Sequence, residues 1–276
     1  MSVEPAQLDG KTAWITGASR GIGAALARET AARGADVILS GRDTARLKEV
    51  AGELPGNALV LPFDVRDTDA MHEATRAATS WRSGVDLFVA NAGVSQRSAA
   101  LETAPQVYRD IIEIDLIAQI AATQALLPHM ASRGEGRLVF ISSIAGKVGV
   151  PLRTAYCAAK HGLIGYADAL RAELSQSGVS VHVVCPGSVA TDVSRNALQA
   201  DGSRRGVSDK AIDGGLPPGE AAREMLDAIL RGEREIIVAR GFEQAMGETR
   251  RTPEALLDQV AAMVASGYMD RLKADR

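Results

Sequence analysis

The chain has 276 residues, of which 46% are hydrophobic and 24% are charged, and its formal net charge is −3; this composition is typical of a water-soluble globular protein with a sizeable core. The negative net charge and the lack of a basic cluster argue against nucleic-acid binding, and two cysteines exclude a disulfide scaffold and favour buried free thiols in a reducing compartment. No apolar run approaches the roughly eighteen residues of a membrane helix and residues 1–10 carry no signal pattern, so we expect a cytoplasmic protein without a membrane partner.

Segments typical of strands and helices alternate along the chain. Some of the strand segments, such as 37–39 and 181–184, are continuous apolar runs, which indicates strands covered on both faces. The predicted strands are 12–16, 35–40, 58–63, 85–90, 137–142, 179–185 and 234–238, and the predicted helices are 21–33, 44–53, 67–82, 104–132, 155–176 and 218–231. This alternation predicts an α/β fold of the Rossmann type, with a doubly wound parallel sheet of about seven strands in a three-layer αβα arrangement. Because no linker divides the chain, we predict a single domain over residues 1–276.

A glycine-rich turn follows the first predicted strand and precedes an Ala-rich helix. Gly17 permits a tight turn, Gly21 lets the backbone approach a pyrophosphate, and Gly23 permits close packing of the helix on the strand. The helix N-terminus offers free amide groups and a positive dipole end to phosphates. The spacing is G-x-x-x-G-x-G rather than the commoner G-x-G-x-x-G, and a glycine turn without a ligand is the alternative. The context predicts a dinucleotide site that includes Gly17, Ser19, Arg20, Gly21, Ile22 and Gly23.

The end of the second predicted strand indicates which dinucleotide is bound. A carboxylate at this point binds the adenosine ribose of NAD, whereas the 2′-phosphate of NADP requires cationic partners. Gly41 occupies the position of that carboxylate, and Arg42 and Arg20 can each offer a bidentate fork to a 2′-phosphate. Asp43 is a counter-signal, but it precedes a predicted helix and is interpreted as its N-cap. The sequence therefore predicts NADP(H).

Tyr156 and Lys160 lie four positions apart, thirteen residues after Ser143. On a helix these positions share one face, and a fixed ammonium favours the phenolate form of a nearby phenol. A serine hydroxyl can hold a substrate oxygen. The three side chains together suit proton transfer during the interconversion of alcohol and carbonyl. An amphipathic helix with a half-buried tyrosine is the alternative for this pattern taken alone.

With the glycine turn and the Tyr-Lys pair together, the chain resembles the short-chain dehydrogenase/reductase family, in its smaller branch of about 250 residues. The resemblance covers roughly residues 8 to 240, and the matching segments follow one another in family order and at family spacing. These segments are 16–23, 64–65, 91–93, 142–143, 156–160 and 186–187 with Thr191.

The resemblance implies further contacts with the cofactor. Asp64 and Val65 are expected to flank the adenine, and Lys160 to bind the nicotinamide ribose as well as act on Tyr156. The segment Asn91, Ala92 and Gly93 is expected to line the ribose and the floor of the site, and Pro186, Gly187, Val189 and Thr191 to hold the nicotinamide end. Arg97 and Arg153 lie in loops that border the substrate in the family; they are either contacts for an anionic substrate or ordinary exposed arginines.

Asp115 departs from the family pattern. Members of the family usually carry Asn in the long helix before the fifth strand, where it helps hold a water that relays protons to the lysine. An ionised Asp offers acceptors but no side-chain donor. Asp115 either binds the water through its backbone, adds a carboxylate near Lys160, or marks reduced activity; we favour the first two because Ser143, Tyr156 and Lys160 are intact.

The last part of the chain differs from the 3-oxoacyl-carrier-protein reductases. The region 187–217 suits a mobile lid, and more than thirty residues follow the last predicted strand. We expect a helical extension over 241–276, with an amphipathic helix over 253–272 whose apolar side carries Leu256, Leu257, Val260, Met263 and Val264. Segments 142–147, 159–162, 196–198 and 201–203 look more like the dehydrogenase/reductase member seven proteins and their hydroxysteroid dehydrogenase relatives, a similarity that defines no substrate.

The sequence thus predicts an NADP(H)-dependent oxidoreductase that interconverts a secondary alcohol and a carbonyl through Ser143, Tyr156 and Lys160. The alternatives are a 3-oxoacyl-acyl-carrier-protein reductase and an NADP(H)-binding regulatory protein of low activity. No metal site is expected, because the four histidines are scattered. The expected partners are a small-molecule substrate and further copies of the chain, as a homo-oligomer (dimer or tetramer).

Overall fold

A seven-stranded parallel sheet forms the centre of the computed structural model, which describes residues 8–267. The strand order is β3-β2-β1-β4-β5-β6-β7 and every pairing is parallel. The strands are β1 (Thr12–Thr16), β2 (Asp36–Gly41), β3 (Ala58–Pro62), β4 (Leu87–Ala90), β5 (Gly136–Ile141), β6 (Val179–Pro186) and β7 (Glu235–Val238). The predicted doubly wound sheet is confirmed, and each predicted strand lies within about two residues of the observed one.

Helices cover both faces of the sheet. They are α1 (Gly21–Ala32), α2 (Thr44–Glu53), α3 (Thr68–Ser80), α4 (Pro105–Ile112), α5 (Ala118–Arg133), α6 (Thr154–Glu173), α7 (Lys210–Asp213), α8 (Pro218–Leu230), α9 (Gly241–Thr249) and α10 (Glu254–Ala265). A π-helical segment, Glu113–Ile117, joins α4 to α5, and a short 3-10 turn, Ile144–Gly146, follows β5. The predicted helix over 104–132 is therefore one continuous helical stretch with a π-helical break.

The alternation of side chains along β1 shows how the three layers form. Ala13 and Ile15 point to one face of the sheet, where they share a buried cluster with residues of α1, α2 and α8. Trp14 points to the other face and packs in a cluster with residues of α3, α5 and α6. Because both faces are covered, the strands are apolar throughout, as the continuous apolar runs predicted.

Strands β1 to β3 extend the sheet toward one edge and strands β4 to β7 extend it toward the other, so the strand order reverses between the adjacent strands β1 and β4. In open α/β sheets, ligands bind beyond the carboxyl ends of the strands at such a switch point. Thr16, the last residue of β1, ties the two strand ends together here: its hydroxyl oxygen accepts the backbone N–H groups of Asn91 and Ala92 at 3.0 and 3.1 Å. The topology therefore predicts a ligand-binding site at this edge of the sheet.

The C-terminal extension packs on the body of the protein. Within the described residues, α10 is shorter than the predicted helix 253–272, whose last five residues lie outside the described range. Its apolar side is only partly covered, because Leu257 is buried but Leu256, Val260 and Met263 are exposed. An amphipathic helix is thus present over Glu254–Ala265, and Leu257 is its one buried residue within that range.

The continuous helical stretch Pro105–Arg133 is long and apolar enough to cross a membrane by length and composition alone. Core helices of water-soluble proteins meet the same test, and this stretch packs against α3 and α6. The expectation that no membrane is bound therefore stays a prediction.

Candidate active site

A cleft of about 920 Å³ lies at the carboxyl edge of the sheet, at the switch point between β1 and β4. Its lining comes from the loops that follow β1, β2, β3, β4, β5 and β6 and from the first turns of α6. The structure brings every predicted site residue to this one cleft, although their separate roles stay predictions. They are Gly17, Ser19, Arg20, Gly21, Ile22, Gly23, Arg42, Asp64, Val65, Asn91, Ala92, Gly93, Asp115, Ser143, Tyr156, Lys160, Pro186, Gly187, Val189 and Thr191.

The glycine turn needs its glycines for two distinct reasons. Gly17 and Gly21 have φ values of +66° and +56°, in the left-handed region that favours glycine. At Gly23 the backbone conformation is ordinary, but a Cβ there would lie 2.3 Å from the carbonyl oxygen of Gly17. The turn is thus folded tightly on itself in front of α1. Because α1 has no side-chain cap and no acidic residue in its first turn, its free amide groups can donate hydrogen bonds to an anion.

Three guanidinium groups and two carboxylates surround the end of the cleft beyond β2. The side chain of Asp43 accepts the backbone N–H of Arg46, which confirms the predicted N-cap of α2. Arg20 lies 3.5 Å from this carboxylate, and Arg42 lies 3.8 Å from the carboxylate of Asp64. Both arginines are about half exposed, so they can turn toward a ligand.

Arg66 was not anticipated from the sequence. Its Nε and Nη2 donate to the two carboxylate oxygens of Asp64 at 3.1 and 2.7 Å. This side-chain fork holds the pKa of Asp64 below its ordinary value, although partial burial opposes it. Asp64 is therefore an anion whose hydrogen-bonding partner is Arg66, which leaves Arg42 less committed to this carboxylate.

The predicted catalytic residues meet where β5 ends and α6 begins. The Lys160 ammonium nitrogen lies 5.6 Å from the centroid of the Tyr156 ring and donates to the carbonyl of Ile141 at 3.0 Å. The Ser143 hydroxyl oxygen caps the 3-10 turn by accepting the N–H of Ala145 at 3.1 Å, so its own O–H is free to donate. The site combines a phenol, a nearby buried cation and a free hydroxyl. These three groups together can support proton transfer to a carbonyl oxygen.

Asp115 lies in the π-helical segment and is fully buried. Its Oδ2 lies 3.2 Å from the Lys160 ammonium, and its Oδ1 accepts the backbone N–H of Val94 at 2.8 Å. The structure thus places a carboxylate directly against Lys160, rather than at the distance of a bridging water. This geometry agrees with the interpretation that Asp115 adds a carboxylate near Lys160.

Burial and pairing act in opposite directions on this ion pair. Burial raises the pKa of the Asp115 carboxyl above its ordinary value, although Lys160 and the N–H of Val94 oppose the shift. Burial alone would lower the pKa of the Lys160 ammonium, but the charges of Asp115 and Tyr156 more than compensate and raise it. Lys160 therefore keeps its positive charge at neutral pH despite being buried.

Glu243 of α9 is the second residue that sequence analysis missed. Its two carboxylate oxygens accept the backbone N–H and the hydroxyl of Ser188, at 2.7 and 2.8 Å. A Cβ at Gly187 would lie 2.4 Å from the same carboxylate, so glycine is needed for this close approach. The C-terminal extension thus holds the loop after β6 in place. No local pattern marks this contact, because the two residues are 55 positions apart.

Asp209 belongs to the region 187–217 that was predicted to form a lid. Arg97 and Arg153, the two arginines predicted to border the substrate, both lie close to its carboxylate. Arg153 lines the cleft, whereas Arg97 does not. Each of them lies 3.5 Å from the Asp209 carboxylate. The predicted border of the substrate region is therefore partly basic.

His129, His161 and His182 have structural partners. Among residues 8–267 no group of three or more His, Cys, Asp and Glu side chains is placed to hold a metal ion. His161 bonds to the carbonyl of Cys157, and His182 is buried, which lowers its pKa to about 4. Both cysteines are free and buried, as the sequence predicted, and burial raises the pKa of the Cys185 thiol to about 12.

The chain is similar to known proteins in sequence. Residues 11–202 match the family model described as short chain dehydrogenase. "Dehydrogenase/reductase SDR family member 7B" from Danio rerio is 38% identical over 238 residues, which cover 83% of this chain and 77% of the relative. "Dehydrogenase/reductase SDR family protein 7-like" from Drosophila melanogaster is 37% identical over 240 residues, which cover 84% of this chain and 74% of the relative.

The fold is also similar to solved structures. A short-chain dehydrogenase from Streptomyces avermitilis superimposes with a TM-score of 0.77 at 28% identity, covering 95% of this chain and 98% of its own. A short chain dehydrogenase/reductase from Burkholderia phymatum, solved in complex with NAD, superimposes with a TM-score of 0.76 at 22% identity and covers 84% of this chain and 90% of its own. The second likeness concerns the fold alone.

Proposed function

Because the chain belongs to the short-chain dehydrogenase/reductase family, we propose that it is an NADP(H)-dependent oxidoreductase that interconverts a secondary alcohol and a carbonyl. The observation that carries the proposal is the position of Tyr156, whose ring lies 5.6 Å from a buried ammonium inside the cleft that also contains the glycine turn. We further propose that the enzyme acts in the cytoplasm on a small-molecule substrate, in line with its composition.

The residues of the cleft fit a nicotinamide dinucleotide. The glycine turn and the uncapped N-terminus of α1 would hold the pyrophosphate, and the loop after β6 would hold the nicotinamide end. When bound, the cofactor supplies or accepts the hydride. The Ser143 hydroxyl is free to donate to the carbonyl oxygen of a substrate. The Tyr156 phenol delivers the proton to that oxygen, and the charge of Lys160 stabilises the negative charge that develops on the phenol.

Single-turnover mixing of the protein, NADPH and a panel of ketones tests this function. Loss of NADPH absorbance within a single turnover for at least one ketone is the expected result. A protein that binds NADPH but oxidises it with no member of the panel would favour a regulatory role. Preference for thioester-linked 3-oxoacyl substrates over simple ketones would favour the acyl-carrier-protein reductase alternative.

We expect NADPH to bind at least tenfold more tightly than NADH, a difference of about 1.4 kcal/mol. Gly41 offers no carboxylate to the ribose, and Arg20 and Arg42 are exposed enough to pair with a 2′-phosphate. Arg42→Ala is expected to lower the affinity for NADPH more than that for NADH. Titration of cofactor fluorescence measures both affinities, with Lys48→Ala as the control on exposed α2 surface. Equal affinities of the wild type for the two cofactors would contradict the assignment.

Replacing Glu243 with Ala is expected to weaken NADPH binding about tenfold, because the loop after β6 loses two hydrogen bonds to a carboxylate. Adenosine 2′,5′-bisphosphate lacks the nicotinamide half, so its affinity should stay at the wild-type value. Isothermal titration with both ligands separates a local effect from a general one. Glu243→Gln keeps an acceptor and is the matched control; equal losses for both ligands would show that Glu243 acts only on folding.

We propose that the protein is a symmetric homo-oligomer, dimer or tetramer. The exposed face of α6 carries the small residues Ala158, Gly165 and Ala169 at helical spacing, which allows a second helix to approach closely. A Cβ at Gly165 meets no atom within 4 Å, so Gly165→Leu should leave the fold intact and reduce the oligomer. Light scattering gives the mass, and Gly52→Leu on α2 is the control with the same freedom. A monomeric wild type at micromolar concentration would refute the proposal.

A further inference from the structure

The substrate end of the cleft, beyond Tyr156, is bordered by arginines. Arg153 immediately precedes α6 and Arg204 belongs to the region 187–217; both line the cleft. Asp192 is a carboxylate that also lines it, but Arg195 lies 3.7 Å from its side chain. The charge that faces the substrate is therefore mainly positive.

The cluster behind this border contains more cations than anions. Arg97, Arg153 and Arg205 surround the single carboxylate of Asp209. Arg205 makes the hydrogen bond, at 2.7 Å, and also donates to Ser194. Arg97 and Arg153 lie at 3.5 Å and make no side-chain hydrogen bond among the described residues. The Arg205 hydrogen bond engages only one oxygen of Asp209. The three guanidinium groups together carry two positive charges more than this carboxylate neutralises.

Arg153 is better placed than Arg97. Its side chain is only 20% exposed, and its Nε is buried without a hydrogen-bond partner in the described part of the chain. An unpaired buried donor is costly, particularly on a charged group. Arg153 is the N-cap of α6 and lies three positions before Tyr156, and the two side chains border the same cavity.

Resting on the proposed function, we infer that the substrate is a carbonyl compound, or the corresponding alcohol, that carries an acidic group bound by Arg153 with the help of Arg204. A planar guanidinium presents two parallel donors to a carboxylate or a phosphate ester, which would satisfy the orphaned Nε. A lid latch made of Asp209 and arginines would need only Arg205. A neutral substrate would leave Arg153 buried and without a hydrogen bond.

Matched substrates test this inference. A series of straight-chain keto acids of increasing length is compared with the methyl esters of the same acids, and keto phosphate monoesters form a second arm. We expect kcat/KM in the wild type to be at least tenfold higher for the acid than for the ester at the best chain length. In Arg153→Gln we expect the acid-to-ester ratio to fall at least tenfold, whereas Arg76→Gln, on the exposed surface of α3, should keep the wild-type ratio.

The results separate the possible failures. A wild type that prefers the acidic compound in neither arm, or a preference that Arg153→Gln leaves unchanged, overturns the inference while the ester data still support an oxidoreductase. Absence of NADPH oxidation with every compound contradicts the proposed function and the inference with it. A preference that appears only in the phosphate arm keeps the anionic site and assigns it to phosphate esters; a preference only in the acid arm assigns it to carboxylates.

Discussion

Replacing Tyr156 with Phe is expected to lower kcat at least about a thousandfold while leaving the affinity for NADPH close to that of the wild type. The change removes only the phenolic oxygen, which is the proposed proton donor, and keeps the ring that lies against Lys160. The cofactor contacts of the glycine turn and of the loop after β6 are unaffected. Single-turnover kinetics and fluorescence titration measure the two quantities separately.

Two variants complete this experiment. Tyr166→Phe also removes a hydroxyl from α6, but that hydroxyl accepts a hydrogen bond from exposed Gln124 outside the cleft, so activity should persist. Lys160→Ala should impair both turnover and cofactor binding, because we propose that its ammonium acts on Tyr156 and also binds the nicotinamide ribose. If Tyr156→Phe retains near wild-type kcat on any good substrate, the assignment of the proton donor is wrong.

The fold and the composition of the cleft were largely readable from the sequence. A parallel sheet covered on both faces requires apolar strands, so runs such as 181–184 reveal it directly. The glycine turn is readable because its conformations and close contacts admit only glycine, as at Gly17 and Gly23. Residues at helical spacing, such as Tyr156 and Lys160, share a face whatever the rest of the chain does.

Contacts between distant, non-periodic positions were not readable. Glu243 reaches Ser188 and Arg205 shares Asp209 with Arg97 only because the extension and the region 187–217 fold back over the strand ends. The sequence placed Asp115 near Lys160, but it could not give the distance. The π-helical segment settles that distance by turning the carboxylate inward against the ammonium.

Asp115→Asn is expected to move the alkaline limb of the pH–rate profile for ketone reduction down by about one pH unit or more. The Asp115 carboxylate and Tyr156 raise the pKa of Lys160 against the effect of burial; the other groups facing this ammonium are the Ile141 carbonyl and the Cys185 thiol. Because the pKa of Lys160 is raised in the folded protein, its positive charge and the stability that comes from the ion pair are present at low pH. Both are lost as the pH rises through the folded-state pKa of Lys160. Removing the carboxylate lowers that pKa, so Lys160 loses its proton earlier.

The protein should tolerate this change, because Asn keeps the volume and an oxygen that can accept the N–H of Val94. Asp115→Leu removes both the acceptor for the N–H of Val94 and the negative charge, and it leaves the ammonium of Lys160 buried without a counter-charge. The free energy of unfolding of this variant should therefore fall by about 3–5 kcal/mol. Glu113→Gln is the matched control for Asn: it removes a carboxylate from the same π-helical segment, but from an exposed position away from Lys160.

The pH–rate profiles decide between two roles for Asp115. If the carboxylate marks an inactive protein, the wild type should show no measurable turnover and Asp115→Asn should restore it. If the carboxylate supports the charge on Lys160, both proteins turn over and only the alkaline limb differs, while Glu113→Gln follows the wild type. Identical profiles for the wild type and Asp115→Asn would mean that a carboxylate 3.2 Å from the ammonium has no influence on proton transfer. That result would contradict the electrostatic role, because a buried charge at this distance is only weakly screened by solvent.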